Sequence, residues 1–107
     1  MGLTKTEIFT PHQNQLAGIF RVLAHPARIA ILQYLSKQRG CICNDIVAEI
    51  GLAQPTISQH LRELKQIGLI QGEIEGKKVC YCINRDTWHK IQESINKFFN
   101  QTLPNCC

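Results

Sequence analysis

A chain of 107 residues, 44% hydrophobic and with a net charge of +4, sets narrow bounds. The length points to one domain with a small core, of the size that often gains from oligomerisation. The mild basicity suits a nucleic-acid partner without demanding one. No run of about 18 apolar residues exists to span a membrane. Residues 1–10 lack the charged-then-apolar plan of a signal peptide, so the expected location is cytoplasmic. Six cysteines stand in three close pairs, Cys41 and Cys43, Cys80 and Cys82, Cys106 and Cys107. Without a secretory signal they are expected as reduced thiols, and their spacing is not that of a zinc ribbon.

Residues 1–10 read as a polar arm. Pro11 opens a helix whose stripe is Leu16, Ile19, Phe20 and Leu23, widened by Ala17 and Val22. Ala24-His25-Pro26 interrupts it, because the residue before a proline is pushed out of the helical region. His25 and His12 suit polar or capping roles better than ligand roles. Residues 27–37 form a second helix, apolar nearly all round through Ile29, Ile31, Leu32 and Leu35, as a buried central helix should be. Gly40 ends that segment. Cys41-Ile42 is long enough only for a strand stub.

Asn44 and Asp45 are N-capping types for a short helix through Ile50, with Ile46, Val47 and Ile50 facing the core. Gly51 then turns the chain into the next helix, residues 52–65. Here Ile57, Leu61 and Leu64 recur at helical spacing and face inward. Pro55 sits in the first turn, where its missing N–H costs nothing. The other sides carry Gln54, Thr56, Ser58, Gln59, His60, Glu63, then Arg62 and Lys65. Short hydrogen-bonding side chains followed by cations suit base edges and phosphates.

Gly68 closes this helix. Residues 69–75 alternate like a strand, with Ile70 and Ile74 inward, and residues 79–83 are rich in β-formers. Between them Gly76-Lys77-Lys78 makes a turn with two cations at its tip. Asn84 and Asp86 can cap a last helix bearing Trp88, Ile91, Ile95, Phe98 and Phe99. Residues 101–107 are a tail. A short helix and a second helix across a Gly-containing turn make a helix-turn-helix. Followed at once by a basic-tipped hairpin, it is a winged helix-turn-helix. The expected fold is mainly α with a β-hairpin wing, five helices in all, over residues 11–100. The recognition helix lies in the major groove of double-stranded DNA, and Lys77 and Lys78 on the wing reach the phosphates.

Four stretches resemble the ArsR/SmtB family of small winged-helix repressors. They are residues 20–32, the recognition helix from Leu52 to Leu61, Ile67-Gly68-Leu69-Ile70, and Gly76-Lys77-Lys78-Val79-Cys80-Tyr81. The resemblance spans residues 12–99, in the family's order and spacing. It implies a homodimer in which the first and last helices pair across a two-fold axis over an inverted-repeat operator. Leu16, Ile19, Phe20, Trp88, Ile91, Ile95, Phe98 and Phe99 offer more apolar surface than one small core needs.

The resemblance also raises an inducer. In arsenic-responsive members a Cys-x-Cys stretch binds the trivalent ion together with a third cysteine. Cys41 and Cys43 match, but the third position is Asp45, Ile46 or Val47, leaving a soft ion one ligand short. Cys106 or Cys107 of either subunit could complete the set. Alternatively Cys43 is a small buried hydrophobe and Cys41 a strand residue. Cys80 and Cys82, two apart on a strand, share a face and read as core packing. The family's other zinc site is absent, because Asp86 and His89 are three apart and no second half follows.

The leading expectation is a DNA-binding repressor with no required cofactor, released by As(III), another soft ion or thiol oxidation. The alternative is a thiol-based metal-binding or redox protein without specific DNA binding. No triad, phosphate-cradling loop or carboxylate pair suggests an enzyme.

Overall fold

The computed structural model describes the backbone of residues 5–43, 45–75 and 78–105. Within these, the side chains of residues 5, 6, 45, 73–75 and 78 lie outside the description. The elements are α1 Lys5–Ile8, α2 Pro11–Leu23, α3 Pro26–Ser36, α4 Asp45–Ile50, α5 Gln54–Gln66, β1 Ile70–Glu75, β2 Lys78–Ile83 and α6 Arg85–Phe99. The five expected helices and the hairpin are α2 to α6 with β1 and β2. To them the structure adds α1, a single turn within the stretch read as an arm. Glu7 sits in that turn, where a carboxylate meets the positive end of the helix dipole.

The helix boundaries follow from local chemistry. Thr10 closes a capping box on α2: its Oγ1 accepts from the Gln13 N–H at 3.1 Å, and Gln13 Oε1 accepts from the Thr10 N–H at 3.0 Å. His25 caps α3, its Nδ1 accepting from the Ala27 N–H at 3.2 Å. Asn84 caps α6 through the Thr87 N–H at 3.2 Å. The expected cap at Asn44 lies outside the described residues. α5 ends in a Schellman motif: the Gly68 N–H bonds to the Lys65 carbonyl and the Leu69 N–H to the Leu64 carbonyl. Gly68 has φ +82°, and Gly51, which ends α4, has φ +83°.

One core binds these pieces. Ile31, Leu32 and Leu35 of α3 meet Ile46 of α4, Ile57, Leu61 and Leu64 of α5, Leu69 and Ile70 at the wing's base, and Ile91 of α6. Ile29, expected in the core, is 41% exposed. It lies on the rim of an apolar groove of about 420 Å³, shared with Trp88 and Ile95, so α3 is less completely enclosed than its composition suggests. β1 and β2 pair antiparallel, from Ile70 opposite Ile83 to Glu75 opposite Lys78. The strand stub is a single antiparallel bridge, Ile42 to Tyr81, along the outer edge of β2.

Gly51→Ala and Gly68→Ala should each lower unfolding free energy by about 1–2 kcal/mol, the cost of a side chain in the left-handed region. A Cβ would meet nothing within 4 Å at Gly51 and would touch Thr87 at 3.4 Å at Gly68, so backbone conformation dominates both losses. Urea denaturation of the two variants measures them.

Candidate nucleic-acid interface

α5 divides cleanly into two faces. Ile57, Leu61 and Leu64 are buried, while Gln54, Thr56, Gln59, Arg62 and Lys65 are exposed and Ser58 is half-buried. The exposed side chains are organised before any ligand arrives. Arg62 donates to Gln59 Oε1 at 2.9 Å, and Gln59 Nε2 donates to Glu63 at 3.3 Å. Gln54 Nε2 donates to Ser58 Oγ at 3.1 Å. The Lys65 ammonium crosses to β1, where the missing side chain of Gly72 leaves it room. Ala53, at the N-cap, makes no side-chain capping bond, so the first turn's N–H groups receive none from that residue.

His60 departs from the expected DNA-contact set. It is only 6% exposed and faces inward. Its ring lies tilted against that of His25, centroids 4.2 Å apart, and its Nδ1 accepts from Arg28 Nε at 3.1 Å. Arg28 also donates to the Val22 carbonyl at 3.2 Å. This guanidinium therefore ties the end of α2, the start of α3 and the middle of α5 together. The sequence did carry a signal for it: His60 lies three residues after Ile57 and four before Leu64, on the apolar side of the wheel. Burial, then the neighbouring His25, then the Arg28 cation hold the His60 imidazole below its ordinary value of 6.5.

The wing stands beside α5. A groove of about 390 Å³ lies between them, lined by Gln54 and Ser58 of α5, Val79 and Tyr81 of β2, and Cys43. Lys77 lies outside the described residues; Lys78 begins β2 opposite Glu75. The structure also brings together four cysteines that the sequence offered as two separate pairs. Cys41 is disulfide-bonded to Cys82, and Cys43 to Cys80. Cys80 is buried, as expected of a core residue, but its partner is a sulfur of the connector, the chain between α3 and α4, rather than an aliphatic side chain. In this bonded state Cys41 and Cys43 have no thiolate to offer a soft ion. Among the described residues no group of three or more His, Cys, Asp or Glu side chains is arranged to hold a metal. Cys106 and Cys107 lie outside the described residues.

The expected dimer residues divide in two. Leu16, Ile19 and Ile91 are buried within the protomer, and Trp88 and Ile95 are half-buried against its core. Phe20, Phe98 and Phe99 form an edge-to-face cluster with centroids 5.1–6.4 Å apart. Phe98 and Phe99 remain exposed at the end of α6, Phe99 at 69%.

Residues 25–71, from the cap of α3 into β1, match the model of the bacterial regulatory protein, arsR family. Over 83 residues the chain is 30% identical to the arsenical resistance operon repressor of Staphylococcus xylosus, covering 78% of this chain and 79% of that one. The chain belongs to the ArsR family. This ArsR-family chain is also 40% identical over 63 residues to the HTH-type transcriptional repressor SmtB of Mycobacterium tuberculosis. That match takes 59% of the chain and spans 46% of SmtB's length. Its fold agrees with the crystal structure of Rv0081 of M. tuberculosis, at a TM-score of 0.68 and 26% identity over 85% of this chain and 92% of that one. The family match ends before β2, so Cys80, Cys82 and α6 lie beyond it. No described helix is long and apolar enough to cross a membrane.

The lowered His60 pKa has a definite sign for stability. Just below pH 6.5 the unfolded chain binds a proton at His60 that the folded chain does not. This contribution is intact above the unfolded value and is lost as pH falls through the folded one. Urea unfolding at pH about 7.5 and about 5.5 should show lower stability at the acid end, with a smaller drop in His60→Gln.

Proposed function

We propose that this chain is a sequence-specific DNA-binding transcriptional repressor, acting in the cytoplasm as a homodimer on an inverted-repeat operator. The observation that carries this reading is the outward face of α5. Two amides, a threonine and two cations are exposed on one helix whose other face is locked into the core. Gln59 and Gln54 can accept and donate at base edges in the major groove. Arg62 and Lys65, further along the helix, suit phosphates, as do Lys77 and Lys78 by their sequence between the two β-forming segments. Membership of a family of regulators supports the same role. None of the side chains on this face forms a nucleophile–base pair, which favours binding over catalysis.

The aromatic end of α6 supports the dimer. Phe98 and Phe99 are large apolar side chains left in water beside Phe20 of α2, and a second copy would cover them. Two recognition helices then meet successive major grooves. The Phe98→Glu/Phe99→Glu variant should sediment as a protomer where the unaltered chain sediments as a dimer.

Gel shifts with DNA from the promoter region of its own gene test the DNA reading. Gln59→Ala should change which base is preferred at one position, by about 1–3 kcal/mol. Lys65→Ala should weaken binding to all sequences alike and lower the slope of log K against log salt by about 1. Lys77→Ala/Lys78→Ala should do likewise, and an unchanged slope counts against the wing contact. No specific shift with any fragment of that region overturns the reading.

A further inference from the structure

The Ile42–Tyr81 bridge explains why four cysteines converge. The two residues exchange both backbone bonds, Ile42 N–H to Tyr81 O at 2.8 Å and Tyr81 N–H to Ile42 O at 2.9 Å. They are therefore a hydrogen-bonded antiparallel pair. The pairs on either side, Cys41 with Cys82 and Cys43 with Cys80, fall at the narrow positions where side chains approach most closely. Their Cα separations are 4.4 and 3.9 Å. Residues two apart on extended backbone share a face, so all four sulfurs lie on one side of the bridge.

The two pairs differ in access. Cys41, Cys43 and Cys82 are each half-buried, whereas Cys80 is 1% exposed, so the inner pair contains an enclosed sulfur and the outer pair does not. Cys82 opens on a polar crevice of about 680 Å³ lined by Arg39, Arg85 and His89, with Asp86 as its acid. Gln71 donates to Cys82 Sγ at 3.6 Å, a contact that also supports a thiolate there. The inner pair sits elsewhere, with Cys43 on the groove between α5 and the wing.

We propose that Cys41, Cys82, Cys43 and Cys80 form one redox site that exchanges with small anionic disulfides and thiols, and that its state fastens or releases the wing from the connector into the helix-turn-helix. Oxidation is balanced by a low-molecular-weight disulfide, RSSR. The Cys82 thiolate attacks one sulfur, forming a mixed disulfide and expelling one RS⁻. The Cys41 thiolate then displaces the second RS⁻ and closes the protein bridge. Two protein thiols lose two electrons and two protons, and RSSR becomes two RSH; the inner pair follows by the same chemistry. The cationic lining of the crevice selects anionic co-reactants. Opening both bridges leaves the connector held to β2 at Ile42 by two backbone bonds, so the groove beside Gln54 and Ser58 loses a covalent wall. The coupling of sulfur state to DNA affinity rests on the proposed DNA reading; the exchange chemistry does not.

The test uses the full chain with Cys106→Ser/Cys107→Ser, which removes the tail thiols. The reduced protein is exposed to glutathione disulfide, quenched by alkylation and mapped by mass spectrometry. Cys41–Cys82 should form first and Cys43–Cys80 second. Cystamine, a cationic disulfide, should react about tenfold more slowly. Thiols that stay reduced, or links within Cys41-Ile42-Cys43, overturn the site. Equal rates for the two disulfides overturn the anion selectivity. The promoter-fragment gel shift is run on both states in parallel, with an expected affinity difference of about tenfold. That difference should vanish in Cys41→Ser/Cys43→Ser. Equal affinity in the two states overturns the coupling. If the bridges map as stated but neither state binds DNA, the DNA reading fails and the redox site stands.

Discussion

The constraint on which the rest depends is the burial of one side of α5. Ile57, Leu61 and Leu64 carry the helix into a core shared with α3, α4, the wing's base and α6. A helix fixed only by aliphatic contacts can still roll. Arg28 and His60 remove that freedom, because a hydrogen bond at 3.1 Å between α3 and α5 has a direction that packing lacks. The polar face is therefore aimed by the same residues that stabilise the protomer. Gly51 and Gly68 complete the arrangement by letting the chain turn sharply at the end of α4 and again after α5.

Much of this was legible in the sequence. Helical spacing placed α2, α3, α5 and α6, and alternation with a basic turn placed the wing. Asn84 was recognisable as a cap because its side chain acts locally. Thr10 carried a local signal too, Thr-x-x-Gln ahead of an apolar run, yet the polar stretch around it concealed the box. His60 was misplaced for a different reason. Its chemistry suits a DNA contact, but its position on the wheel puts it with Ile57 and Leu64, and position decided.

The cysteines mark the limit of what spacing reveals. Each pair, taken alone, shows only that two sulfurs share a face. That the two faces meet depends on the register between a one-residue bridge and β2, separated by 37 and 41 residues of chain. The helix-turn-helix and β1 lie in between, so the pairing is a product of the completed fold. The soft-ion expectation at Cys41 and Cys43 looked for its missing ligand in the tail, whereas the wing supplies the facing sulfurs.

The two bridges close nearly the same loop, and this has a consequence for how the molecule fails. Most of the entropy lost on cross-linking is lost with the first bond, since the closure cost grows only slowly with loop length. The second bond adds little stability and instead adds tolerance. Breaking either leaves the loop covalently closed, and only loss of both reduces the closure to the two backbone bonds at Ile42. Under the exchange proposed for this site, the pair would act as a threshold element, indifferent to a single reduction event and responsive to sustained ones.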